Sequence, residues 1–258
     1  MIIKLLIRKK LINNFKLYHI IMEELMLENI LIVGANRGIG LGLIKEILNK
    51  NSTANIFATY RDKNKSTELI NLSKKHQNLK LLTLEISNQD SINNLKNVLK
   101  DVQIDYLIIN SGILIDINSS IESVKEYELK ETFSKNTVGP IMVLQSLLEN
   151  VLLSNKKVVM VMSSISGSIG SYKTSSGYGY RMSKAALNAS MRLASIELLS
   201  EGVKILMMHP GWVKTDMGGK NAQIEIHESV KGIISVLEDS DHYDTGSFID
   251  YMGEKLPW

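Results

Sequence analysis

From Asn29 onward the chain alternates short Ile/Leu/Val-rich runs with longer segments of helical period, and no other feature restricts its fold as much. Strand, helical segment and strand in succession form the βαβ pattern, which sets strands parallel in one sheet. Candidate strands are 29–33, 55–59, 80–84, 105–109, 157–162, 203–208 and 247–250. Several are almost wholly apolar, as strands covered on both faces must be; a half-exposed strand would alternate. After the first of them, Ile39, Leu43 and Ile47 recur four apart and form one apolar face, while Gly42 lets that helix approach the sheet. The expected fold is α/β, a doubly wound parallel sheet of about seven strands with helices on both faces. A length of 258 residues with 44% hydrophobic content fits one such core over residues 29–258. No internal repeat, low-complexity block or long linker divides it.

Charge excludes several function classes. Of 30 Lys+Arg and 27 Asp+Glu, residues 1–28 hold five and three, so the remainder carries 25 basic against 24 acidic side chains. That balance leaves no electrostatic footprint for nucleic acid. With no cysteine there is neither a disulfide framework nor a thiolate nucleophile, and a cytoplasmic location is the default expectation. The five histidines show no metal-ligand spacing, so no metal is expected. Residues 1–28 read as an appended N-terminal extension, disordered or mis-started, with Met22 or Met26 as a start close to the first strand. Lys4, Arg8, Lys9, Lys10 and Lys16 interrupt its apolar stretch, so no transmembrane segment is expected. An organelle presequence and a basic surface-binding segment stand as alternatives.

The first chemical feature is Gly34-Ala35-Asn36-Arg37-Gly38-Ile39-Gly40, set between the first strand and the first helix. Such a turn lets backbone approach a dinucleotide pyrophosphate, and the helix N-terminus behind it supplies free N–H donors and a favourable dipole. An ordinary tight turn would need only some of these glycines. The second is a Tyr-x-x-x-Lys pair, which occurs twice, at Tyr180/Lys184 and Tyr251/Lys255. Tyr180 opens a helical stretch through Ala185, Ala186, Leu187 and Ala189, where residues four apart share a face, whereas Tyr251 lies beyond the last strand with Gly253 before its Lys. A tyrosine is a reluctant acid–base group at neutral pH, and a neighbouring ammonium favours its phenolate. Chemistry is therefore assigned to Tyr180 with Lys184, and Tyr251 is read as structural.

The glycine spacing and the order of the later motifs resemble the short-chain dehydrogenase/reductase family through almost the whole chain from residue 29, and this makes the expected sheet Rossmann-type. Asn110-Ser111-Gly112 resembles the family's Asn-Ala-Gly, which supports the sheet beside the cofactor. The resemblance implies that Lys184 also binds the nicotinamide ribose, and that Ser164, in Ser163-Ser164-Ile165-Ser166-Gly167, orients the substrate oxygen. Ser164 lies sixteen positions before Tyr180, more than is usual in the family, so the Ser/Gly/Tyr-rich loop between them carries an insertion; Ser163 is the alternative. Asn136 matches the family asparagine of a water-linked proton relay, with a helix irregularity beside Gly139-Pro140 as the plainer reading. Pro210, Gly211, Val213 and Thr215 match the segment beside the nicotinamide, and His209 before them is assigned to packing or hydrogen bonding. Tyr172 and Tyr178 are expected to line the substrate cleft.

Cofactor choice turns on the end of the second strand, where NAD binders place an acid. Tyr60 stands there, Arg61 follows, and Arg37 offers a second cation for a 2′-phosphate. NADP(H) is expected over NAD(H), with Asp62 as the residue that a register shift would bring to the ribose. Glu85, with Ile86 beside it, resembles the family's adenine-side position. The closing Gly246-Ser247-Phe248 and Gly253-Glu254-Lys255-Leu256-Pro257-Trp258, in combination with 34–40, Arg61 and 209–216, are similar to C-factor and sniffer-type carbonyl reductases. The implied activity is reversible hydride transfer between nicotinamide and a carbonyl or alcohol, in a monomer, homodimer or homotetramer. The alternative is a cofactor-binding signalling or regulatory protein of the C-factor type without essential turnover.

Overall fold

The computed structural model describes residues 28–51 and 53–258; apart from Glu28, the extension expected over residues 1–28 lies outside them. In chain order the elements are β1 (Asn29–Val33), α1 (Gly38–Lys50), β2 (Asn55–Tyr60), α2 (Thr67–Ser73), β3 (Leu79–Thr83), α3 (Gln89–Val98), β4 (Tyr106–Ile109), α4 (Glu126–Phe133), α5 (Gly139–Leu152), β5 (Val158–Met162), α6 (Tyr178–Glu197), β6 (Lys204–His209), α7 (Ile226–Glu238) and β7 (Ser247–Asp250). The seven strands form one sheet in the order β3-β2-β1-β4-β5-β6-β7, every neighbouring pair parallel. Each expected strand is present, with its ends shifted by at most one residue. Asp105, expected to open the fourth strand, lies just before it, where its carboxylate accepts the Asn29 N–H at 2.8 Å and the Ser154 hydroxyl at 2.6 Å.

Successive side chains of a strand point to opposite faces, so β1 serves two cores. Ile30 and Ile32 pack with Leu43 and Ile44 of α1 and with Val230 and Ile233 of α7. Leu31 and Val33 pack on the other side with Leu95 of α3, Val143 and Leu147 of α5, and Leu187 of α6. Leu31, Ile32, Leu43, Ile44 and Leu147 are fully buried, and burial of each such side chain contributes about 1.5–3 kcal/mol. Because all strands run the same way, the loops leaving their C-terminal ends share one edge. Chain order reverses between β1 and β4, which opens the crevice where sheets of this kind hold their ligands. Among the described residues no helix is long and apolar enough to cross a membrane, and no group of His, Asp or Glu could hold a metal.

Candidate active site

The glycine turn leaves β1 into this crevice. Gly34 has φ +83°, a region that side chains rarely adopt, and a Cβ there would meet Ser111. Its N–H donates to the Thr59 hydroxyl at 3.0 Å, and its carbonyl accepts from Asn110 Nδ2 at 2.7 Å. Asn110 thus ties the β4 end to the glycine loop through its side chain. A Cβ on Gly40 would strike the Gly34 carbonyl, so only glycine lets α1 start this close to its own turn. The N-cap, Arg37, makes no side-chain cap bond, and α1 has no acid in its first turn. The N–H groups of that turn therefore face outward without a built-in acceptor, the arrangement that suits a bound anion. A Cβ on Gly38 would lie 3.3 Å from Thr215 Cγ2, so the segment after β6 packs close to the same turn. Asn36 Nδ2 donates to the Lys65 carbonyl at 3.1 Å.

Tyr60 ends β2 as expected, and no acid occupies that slot. Asp62 instead caps the short turn Lys63–Lys65, its Oδ1 accepting the Asn64 N–H at 2.9 Å. Arg37 forms an ion pair with Asp216, and Arg61 one with Glu85 at 3.4 Å, both well exposed. Burial would raise the Glu85 carboxyl, but the Ser87 hydroxyl and N–H, with Lys135 and Arg61 nearby, outweigh it and hold the group below its ordinary value. Ile86 turns its side chain inward, against Gly139 at the start of α5.

The second half of the site assembles around α6. Lys184 is 4% exposed, donates to the Met162 carbonyl at 2.6 Å, and holds its Nζ 5.8 Å from the centre of the Tyr180 ring. Burial in this position lowers its pKa to about 8. The same burial raises the half-buried Tyr180 phenol above 10.0, while a hydrogen bond with Ser164 works in the opposite direction. Desolvation, and not the neighbouring ammonium, decides the direction for the phenol. The two serines part company: Ser163 donates to Asn188 Oδ1 at 2.5 Å inside the core, whereas Ser164 faces Tyr180 and also accepts the Ser166 N–H at 3.1 Å. The longer Ser164 to Tyr180 interval is taken up by two short 3-10 turns, Ile165–Gly167 and Ile169–Ser171, and an exposed stretch before α6.

Asn136 lies in a π-helical turn, Ser134–Val138, between α4 and α5, so the irregularity and the polar residue coincide. Fully buried, it reads both polar groups of the Ile113 backbone, accepting from its N–H at 2.8 Å and donating to its carbonyl at 2.9 Å, and donates to Ser183 at 3.1 Å. A Cβ on Gly112 would lie 3.4 Å from Asn136 Oδ1 and 3.6 Å from Lys184 Nζ, so β4, the π-turn and α6 meet there. After β6, the Pro210 carbonyl accepts from Ser229, Val213 bridges to Ile224, and Thr215 Oγ1 accepts the Gly218 N–H. His209 is pushed down to about 4 by burial, with Asp250 opposing, which keeps it neutral. The second Tyr-x-x-x-Lys pair is pulled apart: Tyr251 packs on Gly211 and Gly232, and Lys255 pairs with Asp244 at 3.5 Å.

Three residues near the site escaped the sequence reading. Arg181 follows Tyr180 and ties down the loop before α6, donating to the Ser176 carbonyl and to Thr174 Oγ1 at 2.7 Å each and lying 5.0 Å over the Tyr172 ring. Asn188 fixes Ser163. Asp116, buried in the loop after β4, receives N–H groups from the first turn of α6. An arginine one residue past a candidate acid is a visible signal; a lone Asp in a loop gives none.

The short chain dehydrogenase family model matches residues 28–225. The carbonyl reductase Sniffer of D. melanogaster is similar in structure at a TM-score of 0.83 and 34% identity, covering 90% of this chain and all of that one. An NADPH-bound carbonyl reductase from chicken fatty liver gives 0.82 at 31% identity, covering 90% and 94%. C-signal of Myxococcus xanthus is 35% identical over 155 residues, 60% of this chain and 93% of its own. The likeness to C-signal and Sniffer agrees with the subgroup read from the combined motifs of the sequence. With a family match extending from the first strand past the sixth, over a sheet whose reversal point lies at the glycine turn, the chain belongs to the short-chain dehydrogenase/reductase family of oxidoreductases.

Proposed function

We propose that this oxidoreductase reversibly reduces a small-molecule carbonyl with NADP(H), using Tyr180 as general acid/base. The observation that carries the reading is the grouping of Ser164, Tyr180 and Lys184, with the serine near enough to lower the phenol's pKa and the lysine fixed on the β5 end. The uncapped first turn of α1 and its glycine approach fit a pyrophosphate. Arg37 and Arg61 would take the 2′-phosphate; their present partners form exposed ion pairs of about 0–1 kcal/mol, which a phosphate can displace. The chicken relative binds NADPH, which supports this preference. Lys184 would also hold the nicotinamide ribose, with Pro210, Gly211, Val213 and Thr215 along the nicotinamide.

The dinucleotide supplies the hydride in reduction and accepts it in oxidation. Ser164 donates a hydrogen bond to the carbonyl oxygen. Tyr180, held protonated at neutral pH by burial, gives its proton to that oxygen as it gains negative charge. Lys184, charged below about 8, stabilises the phenolate left behind. Asn136, by clamping Ile113 at the π-turn, keeps the backbone beside Lys184 in place for proton return through water.

The test is NADPH oxidation with a panel of ketones, aldehydes and quinones. Tyr180→Phe is expected to lower kcat by about 10²–10⁴-fold while NADPH affinity stays within about twofold. Unchanged turnover would refute the assignment. Similarity to C-signal favours a second reading, a cofactor-loaded regulatory module; NADPH binding by folded protein without turnover of any carbonyl would support it.

A further inference from the structure

Helix α6 carries Tyr180 in its first turn, yet it cannot cap itself. Its N-cap is Gly177, in the left-handed region at φ 70°, with no side chain to accept the orphan N–H groups that follow. The acceptors come from about 60 residues earlier, in the loop after β4. Asp116 takes the Gly179 N–H on Oδ2 at 2.5 Å and the Tyr180 N–H on Oδ1 at 3.3 Å. Ser119 takes the Tyr178 N–H at 3.1 Å and donates to Asp116 at 3.2 Å. Three consecutive donors of one turn are thus satisfied in trans.

Asp116 is 3% exposed, and these partners are peptide N–H groups and one hydroxyl, not a cation. A buried carboxylate is costly unless its oxygens are well bonded, and the N-terminal end of a 20-residue helix is a favourable place for its charge. A carboxylate that needs this arrangement holds the backbone of Tyr180 in return. The same loop begins at Gly112 and Ile113, the backbone gripped by Asn136. One continuous segment therefore leads from the cofactor-side end of β4 to the first turn of α6.

We infer that Asp116 is a positioning residue: through the Gly179 and Tyr180 N–H groups it sets where the Tyr180 phenol stands relative to Ser164 and to the substrate oxygen. The inference rests on the reading of Tyr180 as the acid, and it fixes Asp116 as the part of the loop after β4 on which turnover depends. Displacement of a reacting group by about 1 Å costs about 100-fold in rate. The carboxylate therefore acts on kcat more than on NADPH affinity, because the groups proposed to hold the pyrophosphate and the 2′-phosphate lie at the ends of β1 and β2.

The experiment compares wild type, Asp116→Ala, Asp116→Asn, Ser119→Ala and Tyr180→Phe in NADPH-dependent carbonyl reduction. NADPH affinity is measured by protein fluorescence, and the primary isotope effect with NADPD. Asp116→Ala is expected to lose about 10–100-fold in kcat with NADPH affinity within about twofold, and its isotope effect to rise as the chemical step becomes limiting. Asp116→Asn, which keeps one acceptor, should recover most of the loss, and Ser119→Ala should lose only severalfold. A mere loss of folded protein would lower the apparent rate without moving the isotope effect, and that result would overturn the inference, as would full kcat in Asp116→Ala. If Asp116→Ala does not fold, full kcat with an unmoved isotope effect in both Asp116→Asn and Ser119→Ala has the same force. Activity retained by Tyr180→Phe sinks the underlying reading; an inactive Tyr180→Phe beside a fully active Asp116→Ala sinks this inference alone.

Discussion

Replacing Lys184 by Met should make the protein more stable at neutral pH while removing its activity. The ammonium is buried, and desolvation takes its pKa from 10.5 to about 8. At 1.36 kcal/mol per unit, a drop of about 2.5 units means that keeping the charge inside costs about 3 kcal/mol at pH 7. Methionine has a similar length, is unbranched and needs no solvation. Against the gain stands the Met162 carbonyl, which loses its donor, at about 1–2 kcal/mol. The net is about 1–2 kcal/mol in favour of the variant, or about 2–4 °C in Tm. The sign depends on pH. Between about 8 and 10.5 the unfolded chain binds more protons at this lysine than the folded one, so wild type gains stability as pH rises through that window. Once the amine is neutral it still serves the Met162 carbonyl, and wild type becomes the more stable protein. Urea denaturation of both proteins from pH 7 to 10.5 should therefore show a stability difference that shrinks and changes sign near pH 9–10; the other titrating groups are shared and cancel. A variant less stable than wild type at pH 7, or a difference independent of pH, would refute the reasoning.

Two further outcomes follow from the site. Ser164→Ala should lower kcat by about 100-fold or more with little change in stability, whereas Ser163→Ala should leave kcat within a few-fold and lower stability by about 1 kcal/mol, because its bond is to Asn188 in the core; steady-state kinetics and thermal melts separate them. Arg37→Ala combined with Arg61→Ala should weaken NADPH binding by at least about tenfold and NADH binding by less than threefold, measured by fluorescence titration at low and moderate salt.

The fold was legible because its signal is local and repeated. Apolar runs such as Val158–Met162 read as strands on their own, and Ile39, Leu43 and Ile47 mark a helix face without reference to anything distant. The glycine turn was equally legible, since its meaning depends only on the strand before it and the helix after it. Tyr-x-x-x-Lys was legible only by place in the chain: Tyr251 and Lys255 repeat the spacing, and the structure gives them unrelated partners. Ser164 was preferred to Ser163 from its place before Ile165-Ser166-Gly167, but order could not show which way each points, because adjacent residues on an extended segment point to opposite sides.

What the sequence alone determined is the set of elements, their parallel arrangement and the types of residue that end each strand; periodicity and turn chemistry act over a few residues and are written in the chain. Tertiary structure decided what depends on burial and on partners far away in sequence. Lys184 and the Tyr180 phenol depart from their ordinary values because the fold removes water from them, and no local pattern encodes that loss. Asp116 reaches the first turn of α6 only when the loop after β4 is laid across it. The expected acid was written in the chain, and its surroundings were made by folding.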